Sequence, residues 1–262
     1  MSAVWHIARI ELRRYLSTWT SWVLAATFFG LTAFLFQELL QQFQHQRLRY
    51  AERGALAVLA QMNLTDLVVT PTFSYVATFF VFLLPVLTMR LAAADRRDGM
   101  LELLHALPVR TVEIVIGKYL AAWVVMVGML ALTTVFPIGL HLFAAADPRA
   151  VDGGTLVAAY LGLALLGSAG VAVGLAASAV APSQLVAVVL GFVVLALLLM
   201  VGIAAEAESG PWRALLVEIS MSHHLRGFTG GLVRLGDVTY YLAVTFLGLF
   251  AAHRGLARGG RP

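Results

Sequence analysis

Six long apolar runs occupy most of this 262-residue chain, and they restrict it to folds that a lipid bilayer can hold. Crossing the hydrocarbon core takes about 20 apolar residues in a helix. A closed barrel would need strict alternation of apolar and polar residues, which these runs lack. Hydrophobic residues make up 60% of the chain and charged residues 12%. The sequence therefore predicts an all-α polytopic membrane protein with one transmembrane domain over residues 1–262.

The order of elements follows from the apolar runs and from the polar segments between them. We expect an interfacial helix at residues 1–19, whose arginines turn toward anionic lipid. The predicted spans are 20–36, 72–91, 113–144, 155–181, 184–205 and 238–253. Gln37 to Asp66 is predicted to form a polar loop, and Pro137 to bend the far end of the third span.

A charged insert from Arg96 to Leu120 separates the second span from the third. Asp98 is suited to cap a short helix at 98–107, and Pro108 to end it. Thr111 and Glu113 would then start the third span, with the acid near the positive end of the helix dipole. The apolar face of the short helix could fill a partner's groove or pack on its own bundle, and the residues alone leave both open.

The segment from Asp98 to Ala121, DGMLELLHALPVRTVEIVIGKYLA, resembles the loop after the second span of ABC-2-type transporter permeases. The matching positions are Gly99, Leu101, Glu102, Leu103, Leu104, Leu107, Pro108, Val109, Glu113, Ile114, Gly117 and Lys118. Met100 departs from the pattern, since Thr is common there. The segment before the last span, Ile219 to Leu242, is similar to the gliding-motility and copper-accessory branch, which includes nitrous oxide reductase maturation. Its matching positions are Ser220, His224, Phe228, Gly231, Asp237 and Tyr241, whereas Arg234 replaces an Asp.

The resemblance implies a permease that works as a homodimer with separate cytoplasmic ABC ATPases. ATP and Mg²⁺ would be bound by those partners, and this chain would need no cofactor. Coupling to the ATPase would fall on Gly99, Leu101, Glu102, Leu103, Leu104, Leu107 and Pro108. A path between two copies would be lined by Phe28, Phe29, Phe79 and Phe80. The expected location is the inner membrane, in contact with lipid and without a nucleic-acid partner.

The chain itself lacks the parts of an ATPase. Its only lysine is Lys118, and the phosphate-binding loop needs a following Ser or Thr and upstream glycines. We interpret Lys118 as an anchor at the cytoplasmic end of the third span, with its stem along the apolar surface. No acidic or basic residue lies near the middle of a predicted span, so ion coupling is not indicated and an ATPase partner would supply the energy.

Three alternatives remain open at the level of sequence. A multispan scaffold could transmit ATPase motion to an envelope partner without moving a solute. An intramembrane enzyme would need a nucleophile or carboxylate cluster, and none is visible, so we expect no enzymatic activity. Met221, His223 and His224 carry soft and imidazole ligands for copper, but their helical spacing is unfavourable and a fourth ligand is missing.

Gly170 and Gly174 have the spacing of close helix packing, which we assign to the subunit's own interior.

Basic residues predict that both termini are cytoplasmic. With the N-terminus inside, 11 of the 18 basic and 5 of the 14 acidic residues fall inside, a net charge of +6 against −2 outside. A reporter active only in the cytoplasm should work when fused after Arg258 and be silent within Gln41 to Glu52. The reverse pattern would contradict the whole assignment of sides.

Overall fold

The computed structural model describes residues 2–97, 109–143 and 152–259, and regular structure in these ranges is entirely helical. Within them, six helices are long and apolar enough to cross a membrane: Trp19–Glu52, Thr65–Arg96, Thr111–Leu140, Gly153–Val180, Gln184–Ala207 and Leu235–Ala257. Each overlaps one of the predicted spans. The prediction of an all-α polytopic membrane protein with six transmembrane helices is confirmed. The predicted coupling helix at 98–107 lies outside the described residues.

The helices of the described ranges are numbered here in chain order. The first half contains α1 (Ser2–Ser17), α2 (Trp19–Glu52), α3 (Leu56–Gln61), a π-helix (Thr65–Val69), α4 (Thr70–Thr88), α5 (Arg90–Arg97), α6 (Thr111–Leu132) and α7 (Val135–Phe143). The second half contains α8 (Gly153–Val180), α9 (Gln184–Ala207), α10 (Trp212–Ile219), α11 (Met221–Thr229) and α12 (Leu235–Gly259).

The helix α2 is longer than the apolar run that predicted it. Its 34 residues extend for about 51 Å, whereas the hydrocarbon core of a bilayer is about 30 Å thick. The stretch after Gln37, which we expected to form a loop, is helical as far as Glu52, so that expectation was wrong. The chain has no glycine or proline between Gln37 and Gly54, and polarity alone does not end a helix. Gly54, at φ 67°, closes α2 in a Schellman motif, in which the Ala55 N–H donates to the Tyr50 carbonyl (3.0 Å).

The third span is interrupted near its far end. The helix α6 stops at Leu132 and α7 starts at Val135, with Thr133 and Thr134 in a turn. Pro137 lies one turn after Thr133 and has no N–H to donate to the Thr133 carbonyl. The proline that we expected to bend this span therefore accounts for a break one turn before it.

The helix α8 is the centre of the bundle. Four of its glycines are positions where a Cβ would lie less than 3.0 Å from another helix: Gly162 against Phe228, Gly167 against Met126, Gly170 against Leu84 and Gly174 against Thr88. All four neighbours belong to the same subunit. The assignment of Gly170 and Gly174 to the subunit's own interior is confirmed.

The two ends of the described chain lie at the same end of the bundle. The helix α12 packs along α8, and its Gly255 lies against Ala179 and Val180 near the end of α8. The same end of α8 contacts α5, whose Asp95 binds Arg14 of α1. This geometry agrees with termini on one side, and the side that faces the cytoplasm stays a prediction.

The contact between α8 and α12 generates a stability prediction. A Cβ at Gly248 would lie 2.8 Å from the backbone carbon of Ala172, which cannot move aside as a flexible side chain would. We expect Gly248→Ala to destabilise the protein by about 1–3 kcal/mol through overpacking. The matched control is Gly128→Ala, where no atom lies within 4 Å and alanine favours the helix. Thermal unfolding in detergent measures both, and equal midpoints for the two variants would contradict the packing argument.

Candidate functional site

The short helix α5 leads into the segment predicted to couple to a partner, and a serine of α8 fixes its beginning. The backbone N–H groups of Ala92 and Ala93 both donate to Ser178 Oγ at 3.1 Å. The Ser178 hydroxyl in turn donates to the Met89 carbonyl at 2.9 Å. One buried hydroxyl therefore satisfies backbone groups left unpaired where α4 ends and α5 begins.

An arginine fixes the other end of α5 to α8. The Arg96 guanidinium donates to the carbonyl oxygens of Ala179 and Ala181, the latter at 2.7 Å. These carbonyls lie at the C-terminus of α8, where the helix dipole is negative and the last acceptors lack helical partners. Arg96 thus caps α8 with a side chain from α5, and the two helices are joined at both ends of α5.

The only lysine of the chain is buried in an ionic cluster on the inner side of α5. The Lys118 ammonium binds Glu11 of α1 and lies 2.5 Å from Asp95 Oδ2 of α5. Arg14 of α1 binds the other oxygen of Asp95 at 3.1 Å. Lys118 is 1% exposed, Asp95 3% and Glu11 8%, so water contributes little to their solvation. Two cations and two carboxylates neutralise one another.

This cluster corrects the interpretation of Lys118 as an interfacial anchor. The ammonium lies inside the protein between two carboxylates, and its stem does not run along a lipid-facing surface. The sequence contained one indication of this role, because a lysine that is buried in the first turns of an apolar helix needs a carboxylate partner. The sequence alone did not show that the partners would come from α1 and α5.

The packing of α1 brings Glu11 to Lys118. A Cβ at Gly117 would lie 2.8 Å from Ile7, so only glycine lets α1 lie this close to α6. The Tyr15 hydroxyl donates to the Leu87 carbonyl at 2.8 Å, which holds the end of α1 against α4. Burial raises the pKa of the Tyr15 phenol above its usual value, so it remains a neutral donor. The Gly117–Lys118 pair therefore positions the N-terminal helix.

These contacts join the two chain segments that flank residues 98–108. Asp95 precedes the segment, Lys118 follows it, and the buried ion pair links them directly. Glu113 adds a local contact, since its Oε2 accepts the Arg110 N–H at 3.0 Å and α6 begins at Thr111 as expected.

We call Glu11, Arg14, Asp95, Arg96 and Lys118 the coupling junction. If the intervening segment were displaced, these contacts would transmit the displacement to α1, α6 and α8. The predicted coupling residues Gly99, Leu101, Glu102, Leu103, Leu104, Leu107 and Pro108 lie outside the described residues.

The aromatic residues predicted to line a path lie mostly within the bundle. Phe28 and Phe80 stack with their ring centres 5.6 Å apart, and each is 1% exposed. Phe29 is partly buried and stacks on Phe136 at 5.0 Å, and Phe79 is also partly buried. In this conformation Phe28 and Phe80 are part of the packed core. They could line a path only if α2 and α4 separated.

Two short helices, α10 and α11, form a hairpin at the opposite end of the bundle, and the second resemblance motif runs from the end of α10 through α11 into α12. Its matching residues have structural contacts: Ser220 Oγ accepts the His223 N–H at 3.1 Å, Phe228 covers Gly162, and Tyr241 donates to the Met221 carbonyl at 2.8 Å. Gly231, at φ 80°, turns the chain toward α12. These positions build the hairpin and fasten it to α8 and α12.

The histidine pair of this hairpin divides into one buried and one exposed residue. His224 Nδ1 lies 2.7 Å from Asp237 Oδ1, and its Nε2 lies 3.1 Å from the Glu218 carbonyl, while Tyr240 stacks on the ring. Both ring nitrogens thus have protein partners, which leaves neither free for a metal in this conformation. His223 is exposed, and its ring centre lies 5.8 Å from that of His224. Within the described ranges no three His, Cys, Asp or Glu side chains form a group suited to a metal ion.

Comparison with known families finds a matching family, and the matched range includes the first motif. The model of the ABC-2 family transporter protein matches residues 5–217, more than half of the chain. The chain belongs to the ABC-2 transporter family. As an ABC-2 protein with six membrane-spanning helices it is a multi-pass permease subunit, and the family implies association with ABC ATPase subunits. A search of curated proteins finds no match to this chain.

The coupling junction of this permease generates a prediction about stability. Lys118→Met would leave Glu11 and Asp95 buried without the ammonium that binds both, and removal of one partner from a buried pair costs about 3–5 kcal/mol. We expect a clearly lower unfolding midpoint in detergent. The control is Arg110→Met, which removes an exposed cation from the start of the same helix.

A further variant separates lost charge pairing from lost side-chain volume. Combining Lys118→Met with Glu11→Gln and Asp95→Asn removes the unpaired charges and should recover much of the lost stability. A Lys118→Met protein as stable as Arg110→Met would show that the buried cluster does not hold these helices together.

Proposed function

We propose that this permease passes ATPase motion from the segment at 98–107 into its transmembrane helices through the coupling junction. The support is the position of the junction, which joins the helices before and after that segment and fastens them to α1 and α8. Closure of the ATPases on ATP would displace the segment. The buried ion pairs would then move α1, α5 and α6 as one unit, because separating them would expose unpaired charge to a poorly solvating interior.

Two copies of this chain would provide the transport path. In the apolar stretch of α2 only 11% of the residues are buried within the subunit, and in that of α9 only 22%. The corresponding share for α8 is 67%. The exposed faces of α2 and α9 can meet lipid or a second copy, and two-fold homodimers are the commonest oligomers. Phe28, Phe29, Phe79 and Phe80 would face the path when α2 and α4 separate. An aromatic lining would suit an amphipathic or lipid-like cargo.

The branch of the family and the orientation in the membrane are further parts of this proposal. The pattern in residues 219–242 favours the gliding-motility and copper-accessory branch, in the inner membrane with both termini in the cytoplasm. A scaffold that carries ATPase motion to an envelope partner is the second candidate, because the junction would transmit force equally well without a cargo. Stimulation of ATP hydrolysis by a cargo separates transport from scaffolding.

The leucines of the 98–107 segment generate the decisive prediction. Burial of a leucine in an ATPase groove contributes about 1.5–3 kcal/mol, and a carboxylate there would have to be desolvated without a partner. We therefore expect Leu104→Asp and Leu101→Asp each to weaken ATPase docking at least about tenfold. Pull-down of the co-expressed ATPase and ATP turnover in lipid measure the effect.

The matched control for this prediction is His105→Asp, which places the same charge on another face of the predicted helix. It should dock the ATPase nearly as well as the parent protein. Normal docking and turnover in both leucine variants would overturn the coupling role of this segment. Normal docking with lost cargo-dependent turnover would keep the segment as a transmitter and exclude these leucines as its contact.

A further inference from the structure

A cavity of about 240 Å³ lies where α1 turns into α2, against the junction of α4 and α5. Part of its wall is apolar and is formed by Val23 and Leu24 of α2 and by Val86 and Leu87 of α4. Another part is polar and consists of Arg14, Thr18, Thr20, Ser21 and Arg90. The cavity therefore offers one ligand both an apolar surface and a group of hydrogen-bond donors.

The polar part of the cavity is positively charged. Arg90 is half-buried, and its Nη1 lies 3.4 Å from Thr20 Oγ1. The first turn of α2 contains no acidic residue, and the last carbonyl groups of α1 lie beside it, since the Thr18 N–H donates to the Tyr15 carbonyl at 3.3 Å. Glu11 also lines the cavity, but Lys118 binds it, and Asp95 is bound by Lys118 and Arg14. These two carboxylates are thus bound by other cations, and Arg90 remains as a cation beside the cavity.

The surroundings of the cavity are those of a membrane surface. Trp19 lines it and is 74% exposed, and Trp22, one turn later, is 62% exposed and donates its indole N–H to the Leu16 carbonyl at 2.9 Å. Exposed tryptophans at the start of a span are typical of the headgroup level of a bilayer. A ligand with an acyl chain therefore has direct access from the membrane.

We propose that this cavity binds one anionic phospholipid, with its phosphate at Arg90 and Thr20. The first part of an acyl chain would lie on the apolar wall, because the cavity is too small for a whole lipid, and the remainder would stay in the bilayer. A soluble phosphate ester would leave the apolar wall uncovered. A zwitterionic lipid would bring its own cation to a site that is already positive.

Native mass spectrometry of the full-length protein tests this proposal with dioleoyl phosphatidylglycerol and dioleoyl phosphatidylcholine. We expect the first phosphatidylglycerol to bind at least about tenfold more tightly than phosphatidylcholine. Arg90→Gln should reduce this preference about fivefold, the factor that corresponds to about 1 kcal/mol for one arginine near anionic lipid. The matched control is Arg13→Gln, an exposed arginine of α1 that does not line the cavity.

A second variant tests the apolar wall without changing charge. Leu24→Phe fills the cavity and should weaken the binding of phosphatidylglycerol, and it carries the test if Arg90→Gln fails to fold. Equal binding of the two lipids to the parent protein, or unchanged phosphatidylglycerol binding in both variants, would overturn the proposal. Displacement of phosphatidylglycerol by an equal concentration of glycerol phosphate would show that the site takes a soluble phosphate ester, and would also overturn it.

Discussion

The buried ammonium of Lys118 sets conditions that several helices must meet together. An unpaired charge in the protein interior loses its hydration and is strongly destabilising, so the carboxylates of Glu11 and Asp95 must both lie beside it. Glu11 reaches Lys118 only because Gly117 lets α1 pack closely on α6. Asp95 reaches it only while α5 stays against the end of α8. One charge therefore connects the position of the N-terminal helix, the course of α5 and the start of the third span.

Hydrogen bonds and ion pairs between helices are concentrated at the end of the subunit that carries this cluster. At the end that carries the coupling junction, charged and hydroxyl groups fasten α1, α5, α6 and α8 through directional bonds. The helices α2 and α9 instead present mostly apolar side chains outward, and such faces exchange lipid contacts for protein contacts at little cost.

The sequence predicted the features that depend on length and apolarity, and it failed where a residue's partner decides its role. The six helices and the interior position of Gly170 and Gly174 follow from run length and small-residue spacing. The helical continuation of α2 to Glu52 was missed because polar residues mark exposure to water, not the end of a helix. Lys118 was misread because its partners lie 23 and 107 positions away along the chain. Contacts between residues so far apart in the sequence could not be predicted from local spacing.

The hairpin of α10 and α11 shows that a shared sequence pattern can mark structural contacts. The recurring positions in residues 219–242 cap α11, turn the chain at Gly231 and fill the surface left by Gly162. His224 and Asp237 belong to the same framework, since they bind each other and the hairpin's own backbone. The contacts of these motif positions therefore explain the shape of the hairpin and its attachment to α8 and α12, and they leave none of these side chains assigned to a cargo.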